Sequence, residues 1–158
     1  IIFNDQVQSR KNPYFKNSGA LIEEPDFNSW NSGIDNLKYL ASINGNINID
    51  YVYDLMKRLN IYDDKDKLVR KYSLGMKKKL GIIQAIMEDQ ELIILDEPSN
   101  GLDKDSIAEF HKIVLELKEK NKTILIASHI DSDIKDIADR VIKMENGEIV
   151  SDEVVPHA

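Results

Sequence analysis

The sequence predicts an α/β protein, in which a parallel sheet carries an all-helical lobe. Two apolar runs, "LIIL" at 92–95 and "TILIA" at 123–127, are interpreted as buried strands, and each stops abruptly at polar side chains. Such strands lie in parallel sheets, whose carboxyl ends open into a ligand crevice. The segment between them has the apolar period of a crossover helix, which makes the strands neighbours or near neighbours. Residues 34–72 have helical signals throughout and form the predicted lobe.

Length and composition limit the range of functions. With 158 residues, of which 42% are hydrophobic and 31% charged, the chain is long enough for one globular core and too short to need two domains. No apolar run is long enough to span a bilayer, and the absence of cysteine excludes disulfides and thiolate metal sites. The net charge of −7 does not indicate a nucleic-acid partner. The one basic cluster, at 77–79, is interpreted as a solvated helix face rather than a phosphate-steering site.

The first half of the chain contains two short apolar runs and then the helical lobe. We expect an opening strand, "IIF", at 1–3, and a further apolar run, "GALI" at 19–22, that ends at two glutamates and a proline. Within the lobe, apolar side chains recur at helical spacing in "YVYDLMKRL", at 51–59, and Asp50 is the expected N-cap of that helix.

The second half begins with a turn-like "YSLG" at 72–75, which leads into a helix with one apolar face. A helix amino terminus beside a glycine presents unpaired N–H groups that suit a phosphate. Asp103 is the expected cap of the next helix, and a short helix is expected from about Asp131. The chain ends with two strands around Asn146 and Gly147, a pair of residues typical of a type I′ hairpin turn.

The two predicted strands direct three chemically useful side chains toward one edge of the sheet. Asp96 and Glu97 follow the first strand, and His129 follows the second. Carboxylates in such a place can hold Mg²⁺ through water and activate a nucleophilic water, and a histidine can bond a terminal phosphate. This combination indicates nucleotide hydrolysis.

Four segments in order, "YSLGMKKKLGIIQAI", "LIILDEP", "NGLD" and "ASH", closely resemble the signature motif, Walker B strand, D-loop and switch histidine of ABC-type ATPases. "GALIEEPDF" resembles the Q-loop, with glutamate in place of glutamine. The resemblance runs from about Gly19 to Val150, and these variants are similar to exporters of the bacitracin and lantibiotic resistance group. It implies a P-loop NTPase-like fold, with residues 1–158 as the C-terminal part of one ABC ATPase domain, truncated at its N-terminus. The lobe would span about 34–72, and the signature-to-switch region about 73–150.

The resemblance assigns the chemistry to the residues at the sheet edge. It implies that Asp96 binds Mg²⁺ through water and that Glu97 is the general base for the attacking water. His129 would contact the γ-phosphate of ATP in its own subunit, although a satisfied buried histidine is the structural alternative. A purely structural role for Glu97 is harder to justify, because a second carboxylate beside Asp96 is electrostatically costly without a cation.

The signature segment would act on the nucleotide of a second subunit. The resemblance implies that Ser73 and Gly75 contact the γ-phosphate held by the opposite subunit of a head-to-tail dimer, while the alternative for Ser73 is a simple turn residue. Leu74 and Met76 stand where the family usually has glycine and glutamine. Phosphate binding there would therefore depend on Ser73 and backbone N–H groups.

Two further residues would connect the site to its partners. Glu23 would bind near the nucleotide, sense Mg²⁺ and couple the site to a membrane-spanning permease. Asp103 would bridge the two ATPase subunits in the D-loop, a role compatible with a helix cap. The lobe at 34–72, with Phe27 and Trp30, would dock the permease, so we expect a cytoplasmic protein held peripherally on the inner face of the membrane.

A phosphate-binding P-loop, G-x-x-x-x-G-K-[ST], is absent from this sequence, since none of the seven glycines begins one. We therefore expect a longer natural protein, and we expect the isolated chain to be inactive, with an unpaired sheet edge and exposed apolar surface. The leading hypothesis is a Mg²⁺-dependent ATPase subunit of an exporter of peptide antibiotics. The alternatives are a soluble ABC-class ATPase of DNA repair or translation, and a fragment without enzymatic activity.

Overall fold

The computed structural model describes residues 2–3, 6–7, 17–45, 47–130 and 134–156. Its elements are, in chain order, β1 (Ile2–Phe3), β2 (Gln6–Val7), β3 (Ser18–Leu21), α1 (Gly33–Asn44), α2 (Ile49–Arg58), two 3₁₀-helices (Tyr62–Asp64 and Val69–Lys71), α3 (Leu74–Ile86), β4 (Leu92–Asp96), α4 (Lys104–Glu119), β5 (Thr123–Ala127), β6 (Arg140–Glu145) and β7 (Glu148–Val154). The α/β class predicted from the sequence is confirmed.

The main sheet contains three parallel strands in the order β3, β4, β5. The central strand β4 is buried, with Ile93 and Leu95 each 1% exposed. The prediction that β5 is also a buried strand is wrong, because Leu125 on this strand is 60% exposed. In the described part of the chain β3 and β5 pair only with β4, so both edges of the sheet are open and only one face of β5 packs on the core.

Helix α3 packs closely on β3 because glycine occurs at the contact. A Cβ atom on Gly19 of β3 would collide with the backbone of Ala85 in α3, so only glycine lets the strand and the helix approach this closely. From α3 the core extends without a break to α4, where Phe110 and Val114 are each 2% exposed. The sheet therefore packs directly against the helix that follows Ser73.

Helices α1 and α2 lie in the first part of the predicted lobe, whereas its last part contains only the two short 3₁₀-helices, and one cap is different. Helix α2 begins at Ile49 because the Asn48 side chain accepts a hydrogen bond from the backbone N–H of Tyr51 at 3.1 Å. The prediction of Asp50 as the cap is wrong, since this residue lies in the first turn, where the helix dipole favours its charge. The predicted apolar face is buried, including Leu55, which is fully inaccessible to solvent.

The predicted hairpin joins β6 and β7, and its turn residues Asn146 and Gly147 have positive φ values of 51° and 83°. Both signs match a type I′ turn, so the hairpin prediction is confirmed. The start of the predicted short helix at Asp131, and Ile1 of the opening strand, lie outside the described residues. None of the helices that the structure describes has both the length and the apolar character needed to cross a bilayer.

Candidate active site

Two of the predicted catalytic side chains are in direct contact at the carboxyl edge of the main sheet. The Nδ1 atom of His129 and the Oε1 atom of Glu97 are 2.8 Å apart. The backbone N–H of Glu97 donates to the carbonyl oxygen of Ala127 at 2.8 Å, which extends the pairing of β4 with β5. Because His129 is 68% exposed, the alternative of a satisfied buried histidine is wrong.

Backbone strain accompanies the carboxylate of Glu97. Glu97 has a φ of 46°, in the left-handed region that non-glycine residues seldom adopt. Such conformations persist where the surroundings hold them, and they occur often at functional sites. Here the strained backbone lies directly after β4 and turns the chain away from the sheet. The side chain of Glu97 stays half-buried beside the exposed His129.

The register of the sheet aligns Glu23 with Glu97. Leu21 pairs with Leu95, and each glutamate follows its strand residue by two positions. Glu23 also has a left-handed backbone, with a φ of 58°, and its side chain is exposed. Two strained glutamates therefore follow neighbouring parallel strands at the same level, next to Asp96 at the end of β4.

Asp96 and Glu23 are the carboxylates at this edge that could contribute ligands to a magnesium ion. Among the described residues no group of three or more His, Cys, Asp or Glu side chains could hold a metal ion alone. Mg²⁺ commonly takes only one or two protein carboxylates and completes its shell with phosphates and waters. Asp96, half-buried as the last residue of β4, would hold such an ion.

The segment at 73–76 forms the amino terminus of α3. Ser73 caps this helix, since its side chain accepts a hydrogen bond from the backbone N–H of Met76 at 3.2 Å. Both Ser73 and Leu74 are exposed. A Cβ atom on Gly75 would lie 2.6 Å from the carbonyl oxygen of Gly101, so the segment lies directly against the turn before α4.

Asp103 is confirmed as the N-cap of α4. Its carboxylate accepts hydrogen bonds from the backbone N–H and the hydroxyl of Ser106, each at 2.9 Å. The ammonium group of Lys79 lies 2.9 Å away. These bonds, the one from Lys79 above all, hold the pKa of Asp103 well below its ordinary value. The carboxylate therefore carries its negative charge at any pH near neutrality.

The interpretation of 77–79 as a solvated helix face is wrong for two of its three lysines. Lys78 and Lys79 are each only 6% exposed. Lys79 pairs with Asp103, and Lys78 donates to the backbone carbonyl oxygen of Glu23 at 3.2 Å. The sequence carries no local signal for their burial, since three consecutive lysines are ordinarily solvated and the partners of Lys78 and Lys79 are distant in the sequence.

Comparison with known proteins gives consistent matches. A family profile described as ABC transporter matches residues 2–100. The bacitracin transport ATP-binding protein of Enterococcus faecalis is 37% identical over 96% of this chain, and the lantibiotic transport ATP-binding protein of Streptococcus pyogenes is 33% identical over 95%. These matches cover 49% and 64% of the two relatives, so the chain spans about half to two thirds of their length.

A solved structure described as an ATP binding subunit of an ABC transporter has the same fold. Its TM-score is 0.77 at 23% sequence identity, over 87% of this chain and 58% of the other. At this identity the likeness concerns the fold alone.

Proposed function

Because the chain belongs to the ABC transporter family, we propose that it forms part of the subunit that binds and hydrolyses ATP to power an ABC transporter. The observation that carries this proposal is the contact between Glu97 and His129 at the carboxyl edge of the parallel sheet, beside Asp96. A general base, a side chain that bonds the terminal phosphate and a metal-binding carboxylate at such an edge are groups that phosphoryl transfer to water uses.

In this mechanism Glu97 is the general base. Its carboxylate orients the attacking water and accepts a proton from it, while His129 holds the carboxylate at 2.8 Å and contacts the terminal phosphate. Asp96 would hold Mg²⁺ through water, and the ion would supply neutralisation of charge on the phosphates. The left-handed backbone of Glu97 keeps the carboxylate near His129, so the base is in place before the substrate arrives.

Ser73 and Gly75 would contact the γ-phosphate of ATP held by a second copy of the subunit. Ser73 is exposed at the amino terminus of α3 and Gly75 is half-buried beside it, and the unpaired N–H groups and the helix dipole there favour an anion. Asp103 would lie at the same subunit interface, but three donors of its own chain already occupy its carboxylate. Its bridging role would therefore use the backbone or an oxygen lone pair that remains available.

A membrane-spanning permease is the proposed second partner. The side chains of Trp30 and Tyr39 are 69% and 66% exposed, and Arg70 stacks on the Trp30 ring at 4.3 Å, which holds this ring at the surface. Phe27, by contrast, is half-buried against the core and would support the surface rather than form it. The subunit would thus lie on the cytoplasmic face of the membrane.

Since relatives are named for bacitracin and lantibiotic transport, we propose a peptide antibiotic or a similar compound as the exported substrate.

The test is ATP turnover by the full-length protein and its Glu97→Gln variant. We expect the variant to bind ATP normally and to hydrolyse it about 10² to 10⁴ times more slowly, the usual contribution of a general base. Glu119→Gln, an exposed change of the same chemistry at the end of α4, is the matched control and should have normal turnover. Normal turnover in Glu97→Gln would contradict the assignment of the base.

A further inference from the structure

Helix α3 carries two adjacent buried lysines, Lys78 and Lys79, which we call the lysine pair. Each is 6% exposed. Successive residues of an α-helix point about 100° apart, so the two side chains leave α3 in different directions. A buried ammonium group needs a partner, because an unpaired charge out of water is costly. The lysine pair finds its partners on two different segments of the chain.

Lys78 anchors the turn after β3. Its ammonium group donates to the carbonyl oxygen of Glu23, the residue with the left-handed backbone. Further along α3, a Cβ atom on Gly81 would lie 2.8 Å from Leu21 and 3.0 Å from Pro25, so α3 contacts the chain on both sides of Glu23. Because neighbouring contacts must hold a strained backbone in place, Lys78 supplies the polar part of that support.

Lys79 anchors the turn before α4. Its bond to Asp103 joins α3 to the N-cap of α4, and the neighbouring contact of Gly75 with Gly101 joins the same two segments a turn earlier. The ionised state of Asp103 makes this a charge-assisted bond, which is stronger than a neutral one. The start of α3 therefore cannot move relative to Asp103 without breaking a bond to a buried charge.

We propose that the lysine pair positions two separate parts of the ATPase site, Lys78 through the Glu23 turn and Lys79 through the Asp103 turn. The inference rests on the proposed function, in which Asp103 lies at the interface of two subunits, and on the role expected of Glu23 from the sequence, which is to sense Mg²⁺. It assigns different consequences to neighbouring residues. Loss of Lys78 changes the Mg²⁺ dependence of turnover, and loss of Lys79 changes the pairing of subunits.

The first experiment measures ATP-driven dimerisation of the full-length protein by sedimentation, in a Glu97→Gln background that retains ATP. We expect Lys79→Met to raise the protein concentration needed for dimerisation about tenfold, within the range typical of residues that couple two sites. Lys79→Arg keeps the positive charge and should bring the protein concentration needed for dimerisation most of the way back to the wild-type value. Lys104→Met removes an exposed lysine next to Asp103 and is the matched control, with dimerisation unchanged.

The second experiment measures ATP turnover of the full-length protein as a function of Mg²⁺ concentration. We expect Lys78→Met to raise the half-saturating Mg²⁺ concentration about tenfold, with turnover at saturating Mg²⁺ changed less than twofold. Lys78→Arg should restore the half-saturating Mg²⁺ concentration of the wild type. Lys79→Met should leave the half-saturating Mg²⁺ concentration within twofold of the wild type.

The two readouts separate positioning from a general loss of structure. If both Met variants shift both readouts equally and unfold at the same lowered temperature, α3 is merely loosened and the proposal is overturned. If Lys79→Met does not fold, Asp103→Asn replaces it in the experiment. This change weakens the same bond at its exposed carboxylate, and the proposal requires that it also weakens dimerisation. A wild-type protein with neither turnover nor ATP-driven dimerisation overturns the proposed function instead.

Discussion

Substitution of Gly75 by alanine tests the contact between the start of α3 and the turn before α4. The added Cβ atom would lie 2.6 Å from the carbonyl oxygen of Gly101, whereas ordinary contacts begin at 3.4 Å, so one of the two backbones must move by about 0.8 Å. Overpacking of this kind costs about 1 to 3 kcal/mol of folding free energy. Misplacement of a site by about 1 Å lowers turnover by on the order of 10²-fold. We therefore expect Gly75→Ala to lose about 10- to 100-fold in kcat.

The assay is ATP turnover of the full-length protein together with its thermal unfolding. Gly45→Ala is the matched control, because Gly45 has a φ of 83° with nothing within 4 Å of an added Cβ atom. An alanine in this left-handed conformation lowers the folding stability by about 1 to 2 kcal/mol, which is similar to the loss expected for Gly75→Ala. The control therefore loses stability without a change at the start of α3. The reasoning is refuted if Gly75→Ala turns over ATP within twofold of the wild type, or if Gly45→Ala loses as much turnover.

Three other predictions follow from the site and the core. Asp96→Asn in the full-length protein should raise the Mg²⁺ concentration needed for half-maximal turnover, and an unchanged titration would count against the metal assignment. The isolated 158-residue chain should give neither binding heat with millimolar ATP–Mg²⁺ nor phosphate release, and clear heat or turnover would reveal another phosphate site. Burial raises the pKa of Tyr72 from 10.0 to about 12, so between these pH values the unfolded chain loses this proton first and stability falls as pH rises. Denaturant titrations at about pH 10 and about pH 12 measure this loss of stability, and Tyr72→Phe should reduce it. An equal loss in Tyr72→Phe would contradict the assignment of the pH dependence to Tyr72.

Much of the fold and part of the site could be predicted from local patterns. The strand 92–96, the cap at Asp103 and the turn at Asn146 depend on residues close in sequence, and each lies where expected. The proximity of Glu97 and His129 could also be predicted from the sequence, because the carboxyl ends of neighbouring parallel strands meet at one edge of the sheet. The prediction of Asp50 as a cap is wrong because Asn48, two residues earlier, offers the same chemistry.

The sequence by itself determined the α/β class, the order of the elements and the polar residues that end each strand, since periodicity and turn chemistry are local properties. The tertiary structure alone decided the side chains whose burial departs from the local pattern. Lys78 and Lys79 are buried because β3 and the turn before α4 pack on either side of their helix, and Leu125 is exposed because one face of β5 has no covering element among the described residues. Burial depends on which elements meet in space, and no window of the sequence contains both partners of such a contact.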